Sequence, residues 1–270
     1  MTNNSKKIVS VHHLTKRFGD FTAVNDITFS VNEQEMFALL GPNGAGKTTT
    51  IKMLITLMSP TSGVGTIGEF DFIKQPAEAR RIIGYVPQSI SVDGMLTAQE
   101  NLMLMARLYD IPAKERDSRV REILAFLQLQ DYAKVLVRKF SGGMIRKLEI
   151  GQAMIHHPKV LFLDEPTSGL DPIARQNVWK HLRELRDQFG TTIIFTTHQM
   201  DEAEDMCNRV AIMNSGKISA IGTVSELKEQ TKLPHASLDD VFIYFTGSEL
   251  QQAGNFREIR RTRQIEKRLG

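Results

Sequence analysis

The chain has 270 residues, 41% of them hydrophobic, and a formal net charge of +3. That length suits one large domain or a domain with an appendage, and the apolar share is enough to build a sizeable core. So slight a positive bias gives no argument for nucleic acid, and the single cysteine, Cys207, excludes a disulfide framework and fits a reducing compartment. No run of about eighteen apolar residues offers a bilayer span. The polar start, Thr2-Asn3-Asn4-Ser5-Lys6-Lys7, has no signal-peptide core. The expectation is a soluble cytosolic chain that reaches a membrane only through a partner.

From the N-terminus, residues 8–31 alternate like strands, with Ile8, Val11, Ala23-Val24, Ile27, Phe29 and Val31 apolar and Gly19-Asp20 as a turn. They predict a small β-rich piece. Met36-Phe37-Ala38-Leu39-Leu40 reads as a buried strand, and residues 49–57 read as a helix with Ile51, Leu54 and Ile55 on one face. Between them Gly41-Pro42-Asn43-Gly44-Ala45-Gly46-Lys47-Thr48 fits G-x-x-x-x-G-K-[ST], the P-loop or Walker A pattern. Its glycines let the backbone wrap an anion without a Cβ in the way. Successive N–H groups point inward, and the following helix adds its positive end. Lys47 has the reach for β- and γ-phosphates, and Thr48 can place its hydroxyl on Mg²⁺. A chance match in a chain this long comes at roughly one per cent, so nucleotide binding is the expectation.

Residues 82–86 form the next strand, stopped by Pro87. Thr97-x-x-Glu100 is a capping box that opens a helix ending before Pro112. Val120, Ile123, Leu124 and Leu127 stripe a second helix. Residues from about 89 to 157 therefore read as a helical subdomain inserted into an α/β core. Within it, Phe140-Ser141-Gly142-Gly143-Met144 precedes another helix, and its glycines and serine make either a second anion site or a plain capped loop.

Apolar strands return at residues 160–163, 193–196 and 210–213, with an amphipathic helix between the first two bearing Val178, Leu182, Leu185 and Phe189. Fully apolar strands alternating with helices indicate a mainly parallel sheet covered on both sides. Asn214-Ser215-Gly216 signals a hairpin. The first of these strands ends in Asp164-Glu165. Asp164 is placed to hold Mg²⁺ and Glu165 to polarise an attacking water, since phosphoryl transfer asks for little beyond positioning and charge stabilisation. A solvated strand end is the plainer alternative. His12-His13 and His156-His157 are adjacent pairs whose side chains diverge, so they suggest no zinc site, and the methionines read as core filling.

Walker A, Gln88 after Tyr85-Val86-Pro87, the Ser141-Gly142-Gly143 segment, Asp164-Glu165, Ser168-Gly169-Leu170-Asp171 and His198 occur in that order. Their order and spacing resemble the ATP-binding cassette of ABC transporters over residues from about 8 to 225. The resemblance implies an α/β P-loop NTPase (RecA-like) with a mainly parallel sheet core, an N-terminal antiparallel β subdomain and an inserted α-helical subdomain. It implies a cassette of residues 1–228 and an extension of residues 229–270. It also implies two cassettes closed head to tail on ATP and Mg²⁺, with the P-loop of one facing the Ser-Gly-Gly helix of the other.

By position, Phe18 matches the residue stacking on adenine, a contact of roughly 1–3 kcal/mol by analogy with other base–aromatic stacks. Val24 matches the residue beside the ribose. Gly41, Pro42, Asn43, Gly44, Ala45, Gly46, Lys47, Thr48 and Thr49 match the phosphate-binding run. Gln88 matches the residue that contacts Mg²⁺ and water and senses the transmembrane partner. Asp171 matches the residue that communicates across the dimer, and His198 the switch histidine at the γ-phosphate. The resemblance thus assigns catalysis to Glu165, His198, Gln88 and Lys47, and metal holding to Thr48, Gln88 and Asp164.

Departures from the family pattern are Met144 for glutamine, Phe140 for leucine, and Gly151-Gln152 for alanine-arginine. An interior glycine costs about 1 kcal/mol relative to alanine, which argues for a weaker helix. The methionine after Ser-Gly-Gly resembles exporter subunits handling drugs, polysaccharides, lipids or nodulation signals. Ser237-Leu238-Asp239-Asp240-Val241-Phe242 is similar to the ending of daunorubicin-resistance-type subunits. In that branch the integral membrane permease is a separate chain. The expectation is an ATPase driving export from the cytoplasmic face of the membrane, with a second cassette subunit and a permease as partners and no nucleic acid. A soluble cassette acting on ribosomes or DNA is the alternative, and a small-metabolite P-loop kinase fits less well. Residues 256–269 are basic, with Arg257, Arg260, Arg261, Arg263, Lys267 and Arg268, and read as a solvated tail or as a segment touching anionic headgroups.

Overall fold

The computed structural model describes residues 6–233 and 235–247. The basic segment 256–269 lies outside them. Strands β1 (Lys7–Phe18) and β2 (Phe21–Asn32) form an antiparallel hairpin in which Phe18 faces Phe21 and Lys7 faces Asn32. Strand β3 (Met36–Leu40) runs into the P-loop and then α1 (Lys47–Leu54). The helix begins two residues earlier than the pattern predicts and ends three residues earlier. Lys47 and Thr48 already belong to its first turn, and Thr56 takes a left-handed backbone (φ 63) beyond its end.

Strands β4 (Ser62–Ile67) and β5 (Phe70–Asp71) complete a four-stranded antiparallel sheet in the order β2-β1-β4-β5. Neither was expected, because Ser62-Gly63-Val64-Gly65 carries two glycines and little β signal. The short helix α2 (Pro76–Arg81), opened by proline at its first position, was also unmarked.

Strand β6 (Ile83–Val86) leads into the helical part: α3 (Ala98–Leu108), α4 (Ala113–Phe126) and α5 (Gly142–Met154). The capping box is present, with Thr97 Oγ1 accepting from Glu100 N at 3.2 Å and Glu100 Oε2 accepting from Thr97 N at 2.8 Å. The chain then returns through β7 (Val160–Asp164), α6 (Pro172–Phe189), β8 (Thr192–Thr197), α7 (Met200–Met206), β9 (Arg209–Asn214) and β10 (Lys217–Thr223). The last elements among the described residues are α8 (Val224–Thr231) and α9 (Leu238–Thr246), which pack on each other and against β10. Residue 228 falls inside α8.

The second sheet has six strands in the order β10-β9-β3-β8-β7-β6. All neighbours are parallel except β9 and β10. Its two faces explain why the central strands are apolar throughout. Met36, Ala38 and Leu40 join the helix-side core, while Phe37 and Leu39 join the core shared with the antiparallel sheet and α1. Parallel pairing brings the C-terminal ends of β3, β8, β7 and β6 side by side, which is where open α/β sheets gather their chemistry.

Gly151 has a packing role. A Cβ there would lie 2.6 Å from Leu127 Cδ1 and 2.8 Å from Ile123 Cγ2, so glycine lets α5 approach α4 closely. Gln152 is buried beside it and donates to Asn101 Oδ1 at 3.2 Å.

Candidate active site

The P-loop leaves β3 at Gly41 and enters α1 at Lys47, with Asn43 and Gly44 exposed at its tip and Pro42 and Thr49 half-buried. Gly46 is required: its φ is 102, and a Cβ would lie 2.6 Å from Ala23 O. Ala45 and Val24 are buried, and Val24 packs against Gly46, so it braces the loop from beneath.

Lys47 is only 5% exposed. Its Nζ donates to Gly41 O at 2.8 Å and Pro42 O at 3.0 Å, and lies 4.0 Å from Glu165 Oε1. Burial pushes its pKa down, and the carboxylates of Glu165 and Asp164 oppose that shift.

Register explains the acidic pair. Asp164 of β7 sits opposite Thr196 of β8, and Leu40 of β3 sits opposite Thr197. Asp164 is 2% exposed. Its Oδ1 accepts from Thr196 Oγ1 at 2.5 Å and from Thr48 Oγ1 at 3.1 Å. Thr196 Oγ1 in turn accepts from Glu165 N at 2.9 Å. Nearby Tyr85 is pushed up to about 12 by burial and by the Asp164 charge.

Glu165 leaves the strand with a left-handed backbone, φ 49, and turns its carboxylate towards two donors. Gln88 Nε2 donates to Oε2 at 3.1 Å, and His198 Nδ1 donates to Oε1 at 3.1 Å. Five residues predicted from the sequence, Lys47, Thr48, Gln88, Asp164 and His198, thus converge on or beside Glu165.

Other predicted residues make different contacts. Phe18 is 47% exposed at the end of β1, with Lys16 Nζ 5.2 Å from its ring centre. Ser141 caps α5 through Met144 N at 3.3 Å. Gly142 and Gly143 face Leu170 and Ala174. Asp171 caps α6, accepting from Ile173 N at 3.0 Å and Ala174 N at 2.9 Å. Among the described residues, no hydrogen bond joins Ser141, Gly142, Gly143 or Asp171 to the Glu165 cluster.

Two contributors escaped the sequence reading. Thr196 shares one hydroxyl between Asp164 and Glu165, and its position at a strand end before His198 was the available signal. Glu202 of α7 is buried and accepts from Thr167 Oγ1 at 2.6 Å and Thr197 Oγ1 at 3.3 Å, with Arg175 Nε 3.4 Å away. It ties the segment after Glu165 to the strand end before His198. His156 is half-buried instead, stacked on Tyr109 with ring centres 3.7 Å apart, and desolvation pushes its pKa down to about 4.

The oxygen donors suit a hard divalent cation. Thr48 hydroxyl, Asp164 carboxylate and the Gln88 amide oxygen are the ligand types Mg²⁺ takes, with waters and phosphate oxygens completing its shell.

Residues 24–168 match the family model for ABC transporters. The chain is 40% identical over 220 residues to the linearmycin resistance ATP-binding protein LnrL of Bacillus subtilis, covering 82% of this chain and 70% of that one. It is 41% identical over 223 residues to the Nod factor export ATP-binding protein I of Ralstonia nicotianae, covering 83% and 69%. It also matches the probable multidrug ABC transporter ATP-binding protein YbhF of Escherichia coli at 36% identity over 239 residues, 87% of this chain, and spans 41% of that relative's length. Among solved structures it is similar to a dimer of the ATP-binding cassette MJ0796 in a post-hydrolysis state bound to ADP and Pi, with TM-score 0.71, 25% identity, and 80% and 98% of the chains covered.

Proposed function

The chain belongs to the ATP-binding subunits of ABC transporters, and from that premise we propose that two copies of it clasp and hydrolyse ATP to drive export through a separate membrane permease. One observation carries the reading: Glu165 is held between Gln88 and His198, beside the Thr48–Asp164 pair. A carboxylate fixed by two donors can accept a hydrogen bond from water and aim that water in line with the γ-phosphorus. The water oxygen bonds to phosphorus as the bond to the β-phosphate oxygen breaks, and the proton the water sheds passes by way of Glu165 to a phosphate oxygen, giving ADP and phosphate.

Each residue then has a task. Phe18 stacks on adenine under the Lys16 ammonium, and Val24 supports the loop. The N–H groups of residues 41–49 and the Lys47 ammonium hold the phosphates. Mg²⁺, held by Thr48, Asp164 and Gln88, would neutralise charge on the β- and γ-oxygens. His198 steadies Glu165. Ser141, Gly142 and Gly143 of the second copy close on the γ-phosphate, with Asp171 at the same seam.

The cassette is read as residues 1–228 and its helical subdomain as about 89–157, with 229–270 as an extension that α8 joins to it. Export is supported by the names of the relatives, one for Nod factor export and one for linearmycin resistance. Among the described residues no helix is long and apolar enough to cross a membrane. On the exporter reading the pathway belongs to the permease, and this chain works at its cytoplasmic face. Neither of those relatives is named for ribosomes, DNA or a phosphate acceptor, which disfavours the soluble and kinase alternatives.

Glu165→Gln tests the reading. In the full chain supplied with MgATP, turnover should fall by about a hundredfold or more while ATP affinity changes by less than about threefold. Near-normal turnover would remove Glu165 from the reaction.

A further inference from the structure

Two charged side chains of α5 have no place in the chemistry above, yet both are buried: Arg146 is 6% exposed and Glu149 2%. Burying ions costs several kcal/mol apiece unless they are paired and hydrogen-bonded, and apolar residues of similar volume often pack as well. Their burial therefore calls for a purpose beyond filling space. They sit one helical turn apart, with Arg146 Nη1 3.0 Å from Glu149 Oε2.

Among the described residues, the hydrogen bonds of both side chains go to one segment, the loop that follows β6. Arg146 Nη1 donates to Pro87 O at 2.8 Å, and Nη2 donates to Gln88 O at 3.2 Å. Glu149 Oε1 accepts from Ser91 N at 2.6 Å and from Ser91 Oγ at 3.0 Å. Residues 87–91 form neither helix nor strand, so α5 supplies partners for backbone groups that regular structure leaves unmet. Both ends of the loop are gripped by the same helix.

That loop and that helix each carry one candidate group. Gln88 in the loop donates to Glu165. Ser141, Gly142 and Gly143 stand at the start of α5, and Arg146 follows on the next turn. We propose that Arg146 and Glu149 are positioning residues that bolt the Gln88 loop to α5, so that a displacement of the helix start is passed to the donor that orients Glu165. This rests on the ATPase reading above. In a clasped pair, a γ-phosphate seated at the α5 start of one copy would then set Gln88 in that same copy, which serves the other nucleotide. The two sites would be coupled through the helix.

The test replaces the pair together, Arg146→Met with Glu149→Met, which leaves no lone buried charge to unfold the chain. Turnover of MgATP by the full chain should fall by roughly ten- to a hundredfold, as for other misplacements remote from the reacting atoms, with affinity for ATP changed by less than about threefold. In a Gln88→Ala background the same double substitution should cause no further loss, because the residue it acts through is gone. Arg146→Lys, which keeps the charge but not the fork reaching two carbonyls, should fall between. Unaltered turnover in the double variant would overturn the proposal, as would a second loss of equal size in the Gln88→Ala background. An unaltered chain that hydrolyses no ATP would sink the ATPase reading instead. The bolt is then judged by hydrogen exchange at the Ser91 amide, which should quicken about tenfold in the double variant, and an unchanged rate would overturn it.

Discussion

Glu165 reaches its two donors because its backbone is left-handed while Asp164, one residue earlier, is still in the strand. A non-glycine residue in that region costs of order 1–3 kcal/mol, and the surrounding bonds hold it there. The Thr196 hydroxyl carries part of that load, accepting from Glu165 N while donating to Asp164. Residue type and spacing were enough to mark Lys47, Thr48, Asp164 and Glu165, because a P-loop and a strand-end carboxylate pair have local signatures. Thr196, Glu202, Arg146 and Glu149 have none, because each also needs a partner from a strand or loop distant in sequence. His156 illustrates the same limit. The sequence dismissed it as a ligand but could not foresee its stack on Tyr109 or its Nε2 donating to Ile83 O at 3.0 Å. Held down at about 4 from 6.5, it stays neutral in the folded chain where the unfolded chain takes up a proton. Stability should therefore fall as pH drops from about 6.5 to about 4, by up to about 3 kcal/mol from this group. Thermal unfolding across that window should be less steeply pH-dependent in His156→Phe, and an identical slope would remove His156 as a cause.

At the scale of elements, the strongly patterned ones were legible and the short ones were not. Strands β3, β7 and β8 are unbroken apolar runs, and α3 announces itself by its capping box. Strand β4 holds two glycines and α2 spans six residues, too little for a period to register. Helix α5 shows why propensity misleads when read alone. Gly151 lowers its intrinsic stability by about 1 kcal/mol relative to alanine, yet the missing side chain is what admits Leu127 and Ile123. Overpacking such a contact costs typically about 1–3 kcal/mol, more than the propensity gained. Gly151→Ala should accordingly lower the unfolding temperature by a few degrees, with a net loss of about 1 kcal/mol. A stabilised variant would show that α4 and α5 have room to part.

Over the whole molecule, the six-stranded sheet is sandwiched between two apolar layers, helices on one side and the antiparallel sheet with α1 on the other. The P-loop cluster sits at one end of that sheet. Ser141, Gly142 and Gly143 stand at the mouth of α5 beside Leu170 and Ala174, with no hydrogen bond to the cluster among the described residues. A site completed by a second copy accounts for both facts, since each copy would bring its α5 start to the other's P-loop. The sequence pointed to this only through family resemblance, because a surface that closes on a second molecule leaves no periodic trace in the first. The most direct measurement is the mass of the full-length Glu165→Gln chain in solution, taken with MgATP and then with ADP. A doubled mass with two nucleotides enclosed per pair is expected in MgATP, and single chains in ADP. A chain that binds ATP yet keeps the same single-chain mass in both would contradict it.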